Sequence, residues 1–301
     1  MTSTSYRAPG GAEPVGGAAR RALVVRIGAL GDVLLTRRLT YSLSLAGLRS
    51  TLLAPGRHAS LLLGDPWIDA VLDSESGHFA PAFAGSWPKE ARFDMAVLIS
   101  NSADLEKAAR LAAAKVIRLS PEPGRDDMPI ARQWAEAARG VCLPFTGALP
   151  LLETMAREAI TTGATLIHPG SGSPAKNWPI ERFTELGRRL EAVGHRVAWV
   201  RGPAEPDLPA GIPHDQVIDR PSLRALAATL ARSKVFIGND SGVSHLAGAA
   251  GAPTLVLFGP TSASVWTPDG PRVQTLSSRS GALSDIPVET VIAAAADSRG
   301  W

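Results

Sequence analysis

The segment from Val235 to Thr261, VFIGNDSGVSHLAGAAGAPTLVLFGPT, constrains the fold of this chain more than any other. Its apolar runs at Val235–Ile237 and Thr254–Phe258 are typical of buried parallel strands, and the small residues from Ser241 to Ala250 predict a helix between them. The free N–H groups at the start of such a helix favour an anion by about 0.3 to 2 kcal/mol. The segment therefore predicts an α/β fold with an anionic ligand, such as a nucleotide, above the strand ends.

Length and composition narrow the class of protein. The 301 residues are enough for two domains, each with its own core. Hydrophobic residues make up 45% and charged residues 20%, which argues against disorder, and the 5% of aromatic residues argues against a stacking surface for nucleic acid. No apolar run reaches the roughly 18 residues of a membrane span. Cys142 is the only cysteine, so neither a disulfide framework nor a thiolate metal site is expected.

The positive charge is concentrated in the first half of the chain, and the N-terminal residues have an unusual composition. The net charge of +3 comes from residues 1–150, with 17 Lys+Arg against 14 Asp+Glu, because residues 151–301 contain 14 of each. That excess could steer an anionic partner such as a lipid head group, although a solvated arginine-rich surface is the commoner case. Residues 1–21 are rich in small residues without an apolar signal segment, so we expect a disordered tail and a cytoplasmic protein.

Strand and helix patterns alternate along the remainder of the chain. Strands are predicted at 22–27, 51–54, 70–72, 95–99, 116–119, 165–168, 196–200, 235–237, 254–258 and 273–276. Helices are predicted at 33–46, 57–63, 104–113, 134–139, 152–160, 180–193, 222–231, 241–250 and 288–296. Such alternation is typical of parallel sheets with helices on both faces. The stretch 143–150 breaks the pattern and is interpreted as the linker between two domains.

The first predicted strand leads into a helix through the turn Gly28-Ala-Leu-Gly31-Asp32. Gly31 permits a tight turn, and Asp32 stands at the helix N-terminus, at the strand edge where open α/β sheets bind ligands. Aspartate is also a favoured N-cap of any helix. The spacing alone therefore favours a capping role for Asp32 over a catalytic one.

The loop Pro169–Pro179 follows the first strand of the second half and supplies glycines, hydroxyl groups and one cation. Lys176 could pair with a phosphate, although an exposed loop lysine is an equally good interpretation. The loop does not fit the pattern of a phosphate-binding P-loop, and Gly170-Ser-Gly172 matches only half of a dinucleotide fingerprint. A hydride-transfer enzyme is therefore disfavoured.

Two further side chains are candidates from their positions. Glu205 follows a predicted strand, where an acid can accept hydrogen bonds from ribose hydroxyls, although a solvated loop carboxylate is commoner. His245 lies one turn after Ser241 on the same helix face, either near the ligand or satisfied within the core. The sequence contains no HExxH, cysteine–histidine or Asp-x-Asp metal motif. We therefore expect neither a metal nor another cofactor.

Three segments together resemble glycosyltransferase family 9, the family of lipopolysaccharide heptosyltransferases. They are RIGALGDVLLT (Arg26–Thr36), HPGSGSPAKNWPIERFTEL (His168–Leu186) and GNDSGVSHLAGAAGAPTLVLFGPT (Gly238–Thr261). The resemblance implies an α/β protein of the GT-B fold, in which two Rossmann-like domains with parallel sheets face an interdomain cleft. It implies an acceptor-side domain at 22–145 and a nucleotide-sugar-binding domain at 146–301.

The resemblance also implies an inverting, metal-independent transfer of heptose from ADP-heptose. Asp32, beside Gly31 in the turn, matches the family's general base. Lys176 matches the lysine that meets the donor diphosphate, and Glu205 is similar in position to an acid that binds the ribose. The other residues that match donor-binding turns are Gly170, Ser171, Asp240, Ser241, Gly242 and His245.

The resulting hypothesis is a heptosyltransferase acting on a lipopolysaccharide core or similar lipid-linked glycan, with peripheral contact at the inner face of the cytoplasmic membrane. Two alternatives are a family member that transfers another nucleotide-activated sugar to a different surface glycan, and a nucleotide-sugar-binding protein without transferase activity. The sequence departs from the family pattern at Arg37-Arg38, where members commonly have a proline, and after Thr261, where the chain is short.

Overall fold

The computed structural model describes residues 6–7, 20–202, 208 and 212–297. The chain divides into two compact units, residues 1–149 and 150–301, and the division falls within the predicted linker. Each unit is built around one six-stranded sheet. Within the described residues, no helix has the length and apolar character needed to cross a bilayer.

The first unit contains a sheet of five parallel strands and one antiparallel edge strand. Its strands are β1 (Tyr6–Arg7), β2 (Arg20–Val25), β3 (Leu48–Ala54), β4 (Ile68–Asp73), β5 (Phe93–Ile99) and β6 (Ala113–Leu119). Its helices are α1 (Leu30–Leu45), α2 (Gly56–Ala59), α3 (Ala103–Ala112) and α4 (Ile130–Ala137). The strand order is β1-β4-β3-β2-β5-β6, and only the β1–β4 pair is antiparallel among these neighbours. Because the order reverses between β2 and β5, their carboxyl ends form the crevice where such sheets bind ligands.

The second unit contains a fully parallel sheet. Its strands are β7 (Thr165–His168), β8 (Val197–Arg201), β9 (Val217–Asp219), β10 (Val235–Asn239), β11 (Thr254–Phe258) and β12 (Val273–Ser277). Its helices are α5 (Ile180–Ala192), α6 (Leu223–Leu230), α7 (Gly242–Ala249), α8 (Ala263–Trp266) and α9 (Val288–Asp297). The order β12-β11-β10-β7-β8-β9 reverses between β7 and β10. The predicted α/β class with parallel sheets is confirmed in both units.

The core of the second unit explains why these segments fold as they do. Strands β10 and β11 are buried along their whole length, as their apolar runs Val235–Ile237 and Leu255–Phe258 predict for a parallel sheet. Helix α5 turns Phe183, Leu186 and Leu190 toward the core at helical spacing. The Trp178 ring, which precedes α5, packs edge-on against Phe183 with the ring centres 4.8 Å apart. This packing fixes the end of the loop between β7 and α5.

Several sequence predictions differ from the structure. The predicted helix at 152–160 is wrong, because only a short 3-10 turn forms at Ala156–Glu158. The flanking backbone is bonded elsewhere: Leu152 N donates to the Ala249 carbonyl at 2.9 Å, and Ile160 N donates to Thr229 Oγ1 at 2.9 Å. Tertiary hydrogen bonds therefore replace the helical ones.

Near the N-terminus, strand β2 begins at Arg20, so the predicted end of the tail at residue 21 falls inside a strand. Tyr6–Arg7 also forms a strand, which pairs with β4. Residues 1–5 and 8–19 lie outside the described residues.

Helix α1 buries two consecutive arginines at the position where the sequence departs from the family pattern. Arg37 donates from Nε and Nη2 to the two carboxylate oxygens of Asp65 at 2.8 and 2.7 Å. Arg38 Nη1 donates to the carbonyls of Phe145 and Gly147 at 2.8 and 3.1 Å. The first arginine thus forms a buried bidentate ion pair, and the second ties the end of the unit to α1.

Candidate functional site

The second unit places two loops side by side at one edge of its sheet. Strands β7 and β10 are parallel neighbours, so the loops that begin at Pro169 and Asp240 leave the same edge. Asn239 joins them, because its Nδ2 donates to the Pro169 carbonyl at 2.7 Å and its Oδ1 accepts from Trp178 N at 3.0 Å. Asn239 is fully buried, so these bonds fix the spacing of the loops. Sequence reasoning missed this residue, although a buried asparagine at a strand end is the signal.

The cation of the first loop contacts the acid of the second. Lys176 Nζ donates to Asp240 Oδ2 at 2.9 Å, and Thr261 Oγ1 donates to the same oxygen at 2.8 Å. The Asp240 side chain is 8% exposed and the Lys176 side chain 33%. Asp240 is therefore a buried anchor, while the lysine keeps a face toward solvent.

Helix α7 begins directly beside this ion pair. Ser241 is its N-cap and accepts the Ser244 N–H on its side-chain oxygen, and Ser244 Oγ donates to the Asn239 carbonyl at 2.5 Å. Among the hydrogen bonds of the described residues, none uses the backbone N–H groups of Gly242 and Val243. The start of α7 thus presents donors at the strand edge, where an anion binds favourably.

The loop that carries Lys176 is held by its own side chains. Ser171 Oγ lies 2.8 Å from the Ser173 carbonyl and 2.7 Å from Asn177 Oδ1, and it accepts the Ser173 N–H at 3.2 Å. Lys176 then lies in a 3-10 turn, Pro174–Lys176. The Ser171 hydroxyl therefore shapes the turn that positions the lysine.

The remaining predicted residues of this unit are placed as follows. Gly170 is buried two residues after the end of β7, and His245 is buried within α7. Glu205 lies outside the described residues. The β7–β10 edge thus brings together Gly170, Ser171, Lys176, Asp240, Ser241 and Gly242, with His245 in the helix that starts there.

In the first unit, Asp32 is the third residue of α1, and Ala29 is the residue that precedes the helix. The Asp32 carboxylate accepts the Ala29 N–H at 3.0 Å, so it caps the helix from inside the first turn and not from the N-cap position. Gly31 is buried as the second helical residue. The Asp32 side chain keeps 27% of its surface exposed, so the capping bond leaves part of the carboxylate accessible.

Arg26 is a second residue that sequence reasoning missed. Its Nη2 donates to Asp32 Oδ1 at 2.5 Å, and its guanidinium lies over the Trp134 ring, 5.4 Å from the ring centre. The signal was an arginine inside the otherwise apolar run 22–27. A buried cation at a strand end requires a partner, and Asp32 in the first turn of α1 supplies it.

His58 lies beside the same turn. Its Nδ1 is 3.4 Å from the Gly28 carbonyl, and its Nε2 accepts from Arg57 Nε at 3.3 Å. Burial lowers the pKa of His58, with a smaller contribution from Arg57, while the Gly28 carbonyl and the carboxylates of Glu75 and Asp32 act in the opposite direction. A neutral imidazole is therefore favoured next to Asp32. The sequence alone did not indicate His58, because a single histidine in a short helix forms no recognisable pattern.

Known proteins resemble this chain in sequence. The model of glycosyltransferase family 9 (heptosyltransferase) matches residues 146–292. Lipopolysaccharide heptosyltransferase 1 of Pseudomonas aeruginosa is 37% identical over 92 residues, which are 29% of this chain and 26% of that protein. Lipooligosaccharide heptosyltransferase 2 of Haemophilus influenzae is 24% identical over 206 residues, 61% of this chain and 57% of that protein. The chain thus matches 26% and 57% of the lengths of these curated relatives.

Solved structures resemble the chain over nearly its whole length. The glycosyl transferase family 9 protein of Veillonella parvula has a TM-score of 0.72 at 20% identity and covers 95% of this chain and 99% of its own. Escherichia coli ADP-heptose lps heptosyltransferase II has a TM-score of 0.75 at 19% identity, covering 93% and 98%. Escherichia coli heptosyltransferase WaaC with ADP has a TM-score of 0.69 at 18% identity, covering 92% and 99%. This likeness confirms the predicted GT-B fold class, with a Rossmann-like parallel sheet in each of the two units.

Proposed function

We propose that the chain, whose residues 146–292 match the model of glycosyltransferase family 9, is an inverting, metal-independent transferase that moves heptose from ADP-heptose to a lipopolysaccharide core or similar lipid-linked glycan. The substrate class rests on the names of the heptosyltransferase relatives. The observation that carries the proposal is the joined edge of β7 and β10, where Lys176, Asp240 and the start of α7 meet. This edge combines the cation and backbone donors that a nucleoside diphosphate requires.

The second unit, which corresponds to the predicted domain 146–301, is proposed to bind the donor. Lys176 and the first N–H groups of α7 stabilise the negative charge that grows on the leaving diphosphate. Asp240 accepts hydrogen bonds from hydroxyls of the sugar, and His245 contributes from the next turn of α7. Gly170 and Ser171 shape the loop over the nucleotide, and Glu205 binds the ribose hydroxyls.

The first unit, which corresponds to the predicted domain 22–145, is proposed to bind the acceptor and to supply the general base, Asp32. The carboxylate takes the proton of the acceptor hydroxyl, and the hydroxyl oxygen bonds to the anomeric carbon from the side opposite the diphosphate. The bond between that carbon and the phosphate oxygen breaks, and ADP leaves with its electron pair. A positioned base of this kind contributes about 10²- to 10⁴-fold to the rate.

Peripheral contact with the cytoplasmic face of a membrane is proposed for the same unit. Phe83 and Leu111 are each 45% exposed, on elements that pack together. The Lys107 side chain lies against Gly85 at this place, and Arg92 Nη1 donates to the Leu111 carbonyl. Apolar side chains beside cations favour an anionic lipid surface. Binding of Phe83→Ser/Leu111→Ser to phosphatidylglycerol vesicles should fall below that of the wild type, and equal binding would contradict this contact.

Transfer can be tested with the full chain, ADP-heptose and a heptose-deficient lipopolysaccharide core, by ADP release and the mass of the product. Asp32→Asn should lower the rate about 10²- to 10⁴-fold with donor binding kept. Asp104→Asn is the matched control, since Asp104 lies in the first turn of another helix of the same unit. An unchanged rate in Asp32→Asn would refute the base assignment. Turnover with another nucleotide sugar would favour a family member that transfers a different sugar. Donor binding without turnover for any acceptor would favour a nucleotide-sugar-binding protein without transferase activity.

A further inference from the structure

Arg26 is held in one orientation at the end of a central strand of the first unit. It follows β2 and is 9% exposed, and its guanidinium lies over the ring of Trp134 from α4. Trp134 is itself buried and donates from Nε1 to the Ser120 carbonyl at 2.8 Å. A flat guanidinium on a fixed aromatic ring has little freedom to rotate.

The buried charge of Arg26 is balanced by Asp32. The ion pair joins Nη2 to Oδ1 at 2.5 Å. Arg26 Nε is buried and has no hydrogen-bond partner within the described residues. Asp32 is therefore the carboxylate on which this guanidinium depends, because a buried cation without its counter-ion is strongly unfavourable.

The Asp32 carboxylate is held at both oxygens. Arg26 binds Oδ1, and the Ala29 N–H donates to Oδ2 at 3.0 Å. A carboxylate has about four acceptor sites, so two bonds leave lone pairs for a further donor, and the side chain remains partly exposed. The orientation of those remaining lone pairs is fixed by Arg26 and the helix turn together.

We propose that Arg26 is a positioning residue of the sugar transfer, which aims the accessible lone pairs of Asp32 at the acceptor hydroxyl. The inference rests on the proposed function, in which Asp32 is the general base. Arg26 touches neither substrate in this scheme and acts through the carboxylate.

Arg26 also acts after the proton has moved. In the transfer step the acceptor O–H bond breaks, the oxygen bonds to the anomeric carbon, and ADP leaves with the electron pair of the broken carbon–oxygen bond. Protonated Asp32 then no longer balances Arg26, whose guanidinium does not deprotonate in proteins. The proton passes from Asp32 to water, and the ion pair with Arg26 forms again for the next turnover.

The test compares Arg26→Met and Arg26→Lys with Asp32→Asn and with the double variant Arg26→Met/Asp32→Asn. Arg49→Met is the control, since Arg49 lies on the neighbouring strand β3 and pairs with Asp69 away from the turn. Each protein is measured for thermal midpoint, ADP-heptose affinity by calorimetry, and kcat and KM for the acceptor.

We expect Arg26→Met to lower kcat about 10- to 100-fold with the donor Kd unchanged, and Arg49→Met to keep the wild-type kcat. The kcat of Arg26→Lys should lie between those of the wild type and Arg26→Met, because lysine keeps the charge but lacks the planar geometry of arginine. The double variant should be as slow as Asp32→Asn and no slower, since Arg26 acts through Asp32.

Three results would overturn the proposal: a wild-type kcat in Arg26→Met, a matching loss of donor affinity, or a further drop of the same size in the Asp32→Asn background. If Arg26→Met does not fold, a lowered kcat at unchanged donor Kd in Arg26→Lys supports the proposal and an unchanged kcat refutes it. Absence of transfer by the wild-type chain would instead refute the proposed function.

Discussion

The ammonium of Lys176 lies 2.9 Å from the carboxylate of Asp240, so the cation of one loop is bound by the acid of the next. Thr261 donates to the same carboxylate oxygen, which keeps Asp240 in place. In the proposed donor complex, the diphosphate competes with Asp240 for this lysine. The ion pair therefore positions the lysine and also lowers the affinity of the site for ADP without a sugar.

The Asp240→Asn variant separates these two effects. We expect it to bind ADP about 3- to 10-fold more tightly at low salt, because a negative charge beside the diphosphate is removed and Lys176 is released. Transfer of heptose should fall, since the proposed contact with the sugar hydroxyls is weakened. Calorimetry at two salt concentrations measures the first effect, with the exposed Asp285→Asn as control. Weaker ADP binding in Asp240→Asn would contradict this account.

The turn before α1 leaves no room for a side chain at Gly28. A Cβ there would lie 2.5 Å from Asp32 Oδ2, so Gly28→Ala must displace the carboxylate from the Ala29 N–H. We expect a fall in kcat of about 10- to 100-fold with donor affinity kept. Gly77→Ala is the control, because a Cβ at Gly77 meets no atom within 4 Å. A wild-type kcat in Gly28→Ala would show that the position of Asp32 is not critical.

Breaking the buried pair of Arg37 and Asp65 is expected to destabilise the first unit strongly. Both side chains are 2% exposed, so Arg37→Met leaves a buried carboxylate without its partner and should lower the free energy of unfolding by about 3 to 5 kcal/mol. Arg49→Met breaks a half-exposed pair with Asp69 and should cost about 0 to 1 kcal/mol. Urea unfolding followed by tryptophan fluorescence measures both.

The pH dependence of the same variant gives a second check. Burial raises the pKa of Asp65, and the two hydrogen bonds from Arg37 act against that rise. Without Arg37 the folded protein takes up a proton at Asp65 more readily than the unfolded chain, so the loss of stability in Arg37→Met should shrink as the pH falls toward 4. An equal loss at pH 4 and pH 7 would contradict this.

His58 should make the stability of the protein depend on pH in the range where histidine titrates. Burial lowers the pKa of His58 from its ordinary value of 6.5, so the unfolded chain binds more protons than the folded one as the pH falls through 6.5. Its contribution to the free energy of unfolding is therefore lost on acidification from pH 7. His58→Asn should flatten the stability profile between pH 7 and pH 5, whereas His214→Asn, an exposed control, should not. Parallel profiles for the wild type and His58→Asn would refute the prediction.

Local sequence patterns were sufficient for the parallel-sheet architecture. Strands β7 and β11 have the predicted bounds, because the apolar residues of each strand lie between segments rich in turn residues. Strand β9 was not predicted, since three residues, Val217–Asp219, are too few for a periodic pattern. The helix predicted at 152–160 failed because tertiary hydrogen bonds bound its backbone.

The contacts within the candidate sites were harder to predict than the elements. Lys176 and Asp240 are 64 positions apart, and only the pairing of β7 with β10 brings their loops together. Asp32 was identified by its turn, but its partner Arg26 required the ends of β2 and α1 to be placed in three dimensions. Secondary-structure propensity depends on the local segment around a residue. These ion pairs depend instead on the order and register of strands that are distant in sequence.

The most direct test of the central claim is calorimetric binding of ADP-heptose, ADP, UDP and GDP to the full chain. We predict selective binding of the adenine nucleotides, weakened at least about tenfold, or about 1.4 kcal/mol, by Lys176→Met. Lys234→Met, which removes an exposed lysine of the same unit, should leave the affinity unchanged. A preference for UDP or GDP would contradict the ADP-heptose assignment, and equal affinity in Lys176→Met and the wild type would contradict the proposed diphosphate site.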